Sequence, residues 1–259
     1  STFGWYYPPT PTVSANIEPY GVFGVAGNGT LDLHSGAGPD TPVIATLPYN
    51  AANVMRTGAE TVAGSTTWWE VQNPGGGTGW SNAYYLVEAI TPGAFCADPR
   101  VNTLLADLGA ALKTGNGANF ASLVSPRHGV DIRLSSFAGP RTFNFNRFSA
   151  ANLFNDSTLY EWGSAPCSDQ IPGSTFSGEV LPKMLDVFNS AGLQTSCNDV
   201  SKTGESAPWP AEYGNIQFYA LYKPGTPGTE VDWRTILVGV EYVNGQPYIV
   251  ALLNFQWKC

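Results

Sequence analysis

Charge is scarce in this chain, and positive charge most of all. Only 12% of the 259 residues are charged, and 20 acidic against 12 basic residues give a formal net charge of −8. The isoelectric point is about 4.6. Nucleic acid and anionic membrane surfaces are thereby excluded as partners, because binding phosphate needs clustered Lys and Arg. The acidity serves solubility instead. No apolar run reaches the length of a membrane span, about 18 residues. The two histidines and four cysteines show no C-x-x-C spacing, so no zinc or other metal site is expected. Motifs for a serine nucleophile elbow, a zinc protease, a P-loop and a dinucleotide fold are missing. Gly24-Val25-Ala26-Gly27-Asn28-Gly29 is glycine-rich, but no phosphate-binding helix pattern follows it. No cofactor is implied.

Glycine, proline and aromatic rings are plentiful. With 29 Gly, 20 Pro and 13% aromatic residues, the composition is that of a β-rich, loop-rich extracellular protein. The chain opens on Ser1 without Met or a signal-like apolar run, which a processed mature N-terminus or a cloning boundary explains. An even number of cysteines in such a chain points to two disulfides, with three connectivities open. Cys96–Cys259 with Cys167–Cys197 is the favoured pairing. The first would join the ends of a second domain and the second would close a shorter loop around a helix.

Short alternating runs separated by Gly, Pro and Asn fill the first third. Leu31 and Leu33 point one way, Asp32 and His34 the other. Pro74-Gly75-Gly76-Gly77 is a turn between Val71 and Trp80. Four segments recur in a familiar order. They are Leu31-Asp32-Leu33-His34-Ser35-Gly36-Ala37-Gly38-Pro39, Pro42-Val43-Ile44-Ala45-Thr46-Leu47-Pro48, Trp68-Trp69-Glu70-Val71 and Gly79-Trp80-Ser81-Asn82-Ala83-Tyr84-Tyr85-Leu86. In this, residues 12–88 resemble the bacterial SH3 (SH3b) domain family. The resemblance implies an all-β SH3-like small barrel, a secreted or cell-envelope location, and docking on wall polymer or protein. His34 stands where the family usually carries Arg, and an imidazole does not supply the guanidinium fork. Trp69 and Trp80 are expected in the core. Trp68, Tyr84 and Tyr85 are candidate ligand-binding rings, since aromatic clefts in wall-binding relatives hold peptide.

Around this module lie a Pro- and aromatic-rich arm (1–11), a linker (89–94) and a second domain (95–259). Three adjacent large rings, Trp5, Tyr6 and Tyr7, are expected to pack on the barrel or on a neighbouring subunit, which makes a homo-oligomer one expectation. In the second domain Asp98 caps a helix with Val101, Leu104, Leu105, Leu108, Ala111 and Leu112 on one face, stopped by Gly115 or Gly117. A short helix at Phe120, a strand from His128 to Leu134, a helical turn over Ala150–Phe154 and a helix over Val180–Phe188 follow. The last third reads as antiparallel strands, with Asn244-Gly245 as a two-residue hairpin turn. That turn sets Glu241 opposite Tyr248 and Thr235 opposite Asn254. The expected fold is an α+β domain with helices on a curved antiparallel sheet, its element order similar to NTF2-like cones. Ser125-Pro126-Arg127-His128-Gly129-Val130 and Asp232-Trp233-Arg234-Thr235 also resemble segments of uncharacterised bacterial envelope proteins.

The face of this hairpin away from the helices carries Trp233, Glu241, Tyr248, Asn254 and Gln256, and a pocket is expected there. The expected protein is a secreted or envelope-associated, non-enzymatic binding or scaffold protein, with no catalytic residue assigned. Its partners would be cell-wall peptide or glycan, or another extracellular protein. One competing reading is a wall hydrolase using Cys96 and His128, or carboxylates among Glu161, Asp232 and Glu241. Another is a structural subunit of an extracellular assembly.

Overall fold

The computed structural model describes residues 19–134, 141–163, 173–201, 208–229 and 231–256. The N-terminal arm, Cys167 and Cys259 lie outside these residues. Two sheets and a small set of helices make up an α+β, multi-sheet fold.

The first sheet has seven strands: β1 (Pro19–Val22), β2 (Thr30–His34), β3 (Val43–Pro48), β4 (Val54–Ala63), β5 (Thr66–Gln72), β6 (Thr78–Asn82) and β7 (Leu86–Glu88). Their spatial order is β3-β2-β6-β5-β4-β1-β7, with every neighbouring pair antiparallel. Period-2 alternation sends Leu31, Leu33, Trp69 and Val71 into one core with Val22, Leu47 and Leu86. Trp80 is half-buried and outside that core, contrary to expectation. Its neighbours Gly79 and Ser81 are the residues of β6 that point inward. A Cβ on Gly79 would sit 3.1 Å from that of Leu33, so a side chain here would crowd β2.

Helices α1 (Pro92–Ala97), α2 (Pro99–Thr114) and α3 (Gly117–Leu123) follow. The first of these begins inside the segment read as a linker, capped by Thr91. Asp98 accepts from the Arg100 N–H at the start of α2, and Gly115 ends it in the left-handed region at φ 61°. The second sheet is formed by β8 (Val130–Leu134), β9 (Thr142–Phe145), β10 (Gln194–Cys197), β11 (Gln217–Lys223), β12 (Arg234–Val243) and β13 (Gln246–Gln256). Between β9 and β10 lie α4 (Arg147–Asn152) and α5 (Leu181–Phe188). The strand order is β10-β11-β12-β13-β8-β9. The sheet is mixed, not purely antiparallel, because β8 runs parallel to β13. A parallel neighbour needs a long crossover, and here β9, α4, α5 and β10 to β12 lie between the two strands in sequence.

Asn244-Gly245 makes the expected turn, both residues at positive φ, and Glu241 opposes Tyr248. Further along the hairpin the register changes. Val240 opposes Ile249 but Gly239 opposes Ala251, so Val250 is an extra residue on β13. This bulge reverses the facing of everything beyond it. Thr235 therefore opposes Phe255 rather than Asn254, and Asn254 opposes Ile236 on the helix-covered side. Uniform alternation cannot foresee one inserted residue.

Both faces of the central strands are covered. Ile236, Val238, Val240, Ile249 and Leu252 pack under the helices with Phe95, Leu108, Phe120 and Met184. Leu237, Val250, Leu253, Phe255 and Trp233 pack on the other face with Tyr213, Phe218 and two residues of the first sheet's segment, Phe23 and Val87. The face expected to be open is thus a second core, shared between the two halves of the chain.

The disulfide links Cys96 to Cys197, with Cα atoms 5.8 Å apart. This replaces both expected pairings, Cys96–Cys259 and Cys167–Cys197. Helix α1 is the cause. Phe95 packs 5.5 Å from the Tyr219 ring, and the Tyr219 hydroxyl donates to the Cys96 carbonyl, which brings Cys96 to the end of β10. The bond is compatible with an extracellular protein. Among the described residues no helix is long and apolar enough to cross a membrane.

Candidate functional site

The largest of four described concavities, about 860 Å³, opens on the first sheet. The others measure about 510, 430 and 300 Å³. Its wall carries Trp68, Tyr85, His34 and the exposed carboxylates Asp32 and Asp40. Trp68 comes from β5, where it pairs with Asn82 of β6, and it is only 4% exposed. The His34 ring meets it edge-on at 5.1 Å, and His34 Nδ1 lies 2.8 Å from the Thr41 carbonyl. The Thr41 hydroxyl donates to the carbonyls of Gly36 and Gly38, which folds the β2–β3 loop over the cavity as a wall. Tyr84 and Tyr85 sit on a single helical turn after β6, where the Asn82 side chain accepts from the Tyr84 N–H at 3.0 Å. Their rings meet edge-on at 5.4 Å.

The adjoining cavity of about 510 Å³ is lined by Tyr84, Trp69, Thr67 and Arg127. Ser65, Thr66 and Asn82 line both cavities, which adjoin as two stretches of a groove around the start of β5. The three rings singled out from sequence therefore meet around this groove, with Trp68 and Tyr85 on one stretch and Tyr84 on the next. Burial raises the Tyr84 phenol above its ordinary pKa. The hydroxyl stays protonated and can donate to a ligand.

The candidates on the β12–β13 hairpin and its flanks are not brought together. Trp233 is core. Asn254 is on the helix side of the sheet and 1% exposed. The Gln256 side-chain oxygen accepts from the Arg234 guanidinium at 3.3 Å. Tyr248 lies under the Arg147 guanidinium at 4.9 Å, beside a separate shallow cavity. Glu241 is buried at the seam between the halves. Its Oε2 is 2.6 Å from His128 Nδ1, while His128 Nε2 is 2.6 Å from the Tyr84 carbonyl. The His128 ring is also 4.5 Å from Phe23 and 4.9 Å from Tyr84. One buried imidazole thus ties β12, the β8 approach and the Tyr84 turn into one unit. Next to it, Arg127 donates to the Ala83 carbonyl and lies 4.2 Å over Trp69.

No protein-family model, curated protein or solved structure matches this chain.

Cys96 is oxidised to a disulfide and His128 is held by two acceptors, so this pair is no thiol–imidazole dyad. Glu161 is exposed and paired with Arg141. Asp232 accepts from Thr226 and lies 3.5 Å from Lys223. The second of these carboxyls is held at about 2, chiefly by the Thr226 backbone N–H, which suits a loop brace and not a proton donor. No cluster of metal-binding side chains occurs among the described residues. Sequence reasoning missed Arg127, although the segment Ser125–Val130 stood out. That segment is a tight turn in which the Ser125 hydroxyl accepts from the N–H groups of Arg127 and His128. It aims both side chains at the first sheet.

Proposed function

We propose that this is a secreted or cell-envelope-associated, non-enzymatic binding or scaffold protein. Its N-terminal module is SH3b-like and docks wall polymer or a protein partner in the groove. The second domain, read as a relative of NTF2-like cones, serves as the rigid support. The observation that carries this reading is the groove itself, floored by the Trp68, Tyr84 and Tyr85 rings and edged with a few polar groups. Each of its two cavities has a volume within the several hundred Å³ typical of ligand sites. Flat rings stack on sugar or peptide without requiring charge.

Co-sedimentation with purified bacterial cell-wall sacculi tests the proposal. The wild-type chain is expected in the pellet, and Tyr85→Ala and Asp40→Asn variants of unchanged melting temperature are expected to be depleted from it. Pelleting that neither substitution alters would place binding elsewhere and overturn the assignment of the groove.

A further inference from the structure

The groove is electrically polarised, and the cationic end comes from the second domain. Asp32 and Asp40 line only the larger cavity, and Arg127 lines only the smaller one. Among the described residues Arg127 makes no ion pair, and its one side-chain hydrogen bond goes to the neutral Ala83 carbonyl. The one carboxylate in its cavity, Glu60, is already engaged by Arg56 and by the Trp69 indole N–H at 2.8 Å. Arg127 is fixed in place by stacking over Trp69 at 4.2 Å. Burial works against its charge and lowers its pKa, while the Glu241 and Glu88 carboxylates oppose that shift from a distance without pairing with it. Among the described residues the Thr67 side chain beside it makes no hydrogen bond, so its hydroxyl is available as a donor.

Resting on the groove as the binding site, we infer that Arg127 with Thr67, which shares the Trp69 face of β5, forms a subsite for a peptide carboxylate, completed by the second domain. A guanidinium fork matches a carboxylate with two parallel hydrogen bonds. The ligand then runs along the aromatic floor and leaves an ammonium group towards Asp32 and Asp40. A short peptide carrying both charges fits this order, and an uncharged glycan does not. The module and its support thereby share one site, which accounts for the rigid seam through His128 and Glu241.

The test is calorimetric titration of the full chain with the tripeptide Lys-Ala-Ala as free acid, as C-terminal amide, and as the free acid with D-alanines. The free acid is expected to bind about ten-fold more tightly than the amide, the size of one charge-assisted contact. Arg127→Gln should bring the acid down to the affinity of the amide and leave the amide unchanged. Thr67→Val, an edit clear of the seam, should weaken the acid selectively and guards against misfolding of the first variant. Preference for the L- or the D-alanine peptide separates a protein C-terminus from wall peptide as the source. Equal binding of acid and amide, both lost in Tyr85→Ala, would retain the groove and refute the carboxylate subsite. No binding of any of the three at millimolar concentration would refute both.

Discussion

Replacing His128 by Ala tests the seam between the two halves. The imidazole is 3% exposed and Glu241 is 2% exposed. The substitution removes both ring hydrogen bonds, of 2.6 Å each, and the ring contacts with Phe23 and Tyr84. It also strands Glu241, whose Oε1 already lacks a hydrogen-bond partner, so that neither carboxyl oxygen is satisfied. Removing one member of a buried pair costs about 3–5 kcal/mol, most of it the price of the abandoned partner. At roughly 2–4 °C per kcal/mol for a chain of this size, the melting temperature should fall by on the order of 10 °C. Urea unfolding followed by tryptophan fluorescence measures the loss directly. The double variant His128→Ala/Glu241→Ala should recover part of it, since the stranded carboxyl is then gone, and the coupling energy in the cycle should exceed about 1 kcal/mol. Losses that simply add, or a single-variant loss below about 1 kcal/mol, would show that the pair does not couple the halves.

The disulfide encloses a sequence separation of 101 residues. The Cys96→Ala/Cys197→Ala variant should lose about 3–5 kcal/mol by the chain-entropy relation, and non-reducing peptide mapping should recover these two cysteines in one linked fragment. Asp98 is held down from 3.8 to about 2, first by the Arg100 side chain, with Tyr242 also donating to it. A depressed folded pKa stabilises above the unfolded value and is lost as pH falls through the folded one. Acid unfolding should therefore steepen between pH 3.8 and about 2, and Asp98→Asn should flatten that limb of the pH–stability profile. A methyl group at Gly239 would lie 2.8 Å from the Trp209 ring and 3.0 Å from the Ala251 Cβ. Gly239→Ala should cost about 1–3 kcal/mol in thermal unfolding through overpacking of the shared core, and an unchanged melting temperature would contradict that packing.

Local information alone determined much of this protein. Helix α2 follows from Asp98, Pro99, its leucine spacing and Gly115, all read within one segment. The β12–β13 turn follows from Asn244-Gly245, and the inward set Leu31, Leu33, Trp69 and Val71 from period-2 alternation. The aromatic trio of the groove was visible because two of its rings are adjacent and the third stands in a strand of opposite-facing neighbours. What the tertiary structure decided depends on residues far apart in the chain. One extra residue, Val250, turned Asn254 to the other side of its sheet. The packing of Phe95 on Tyr219 selected Cys197 as the partner of Cys96. The face that alternation leaves half-polar became a core because Phe23 and Val87 arrive from the other half of the chain, and Glu241 is tolerated there because His128 meets it. Arg127 has no local signature as a groove residue, and it becomes one only because the turn at Ser125 and the seam at Tyr84 carry it across to Trp69. Alternation and capping act over a few residues and are written in sequence. Register, pairing across a seam and the company a charge keeps are set by which distant surfaces exclude water together.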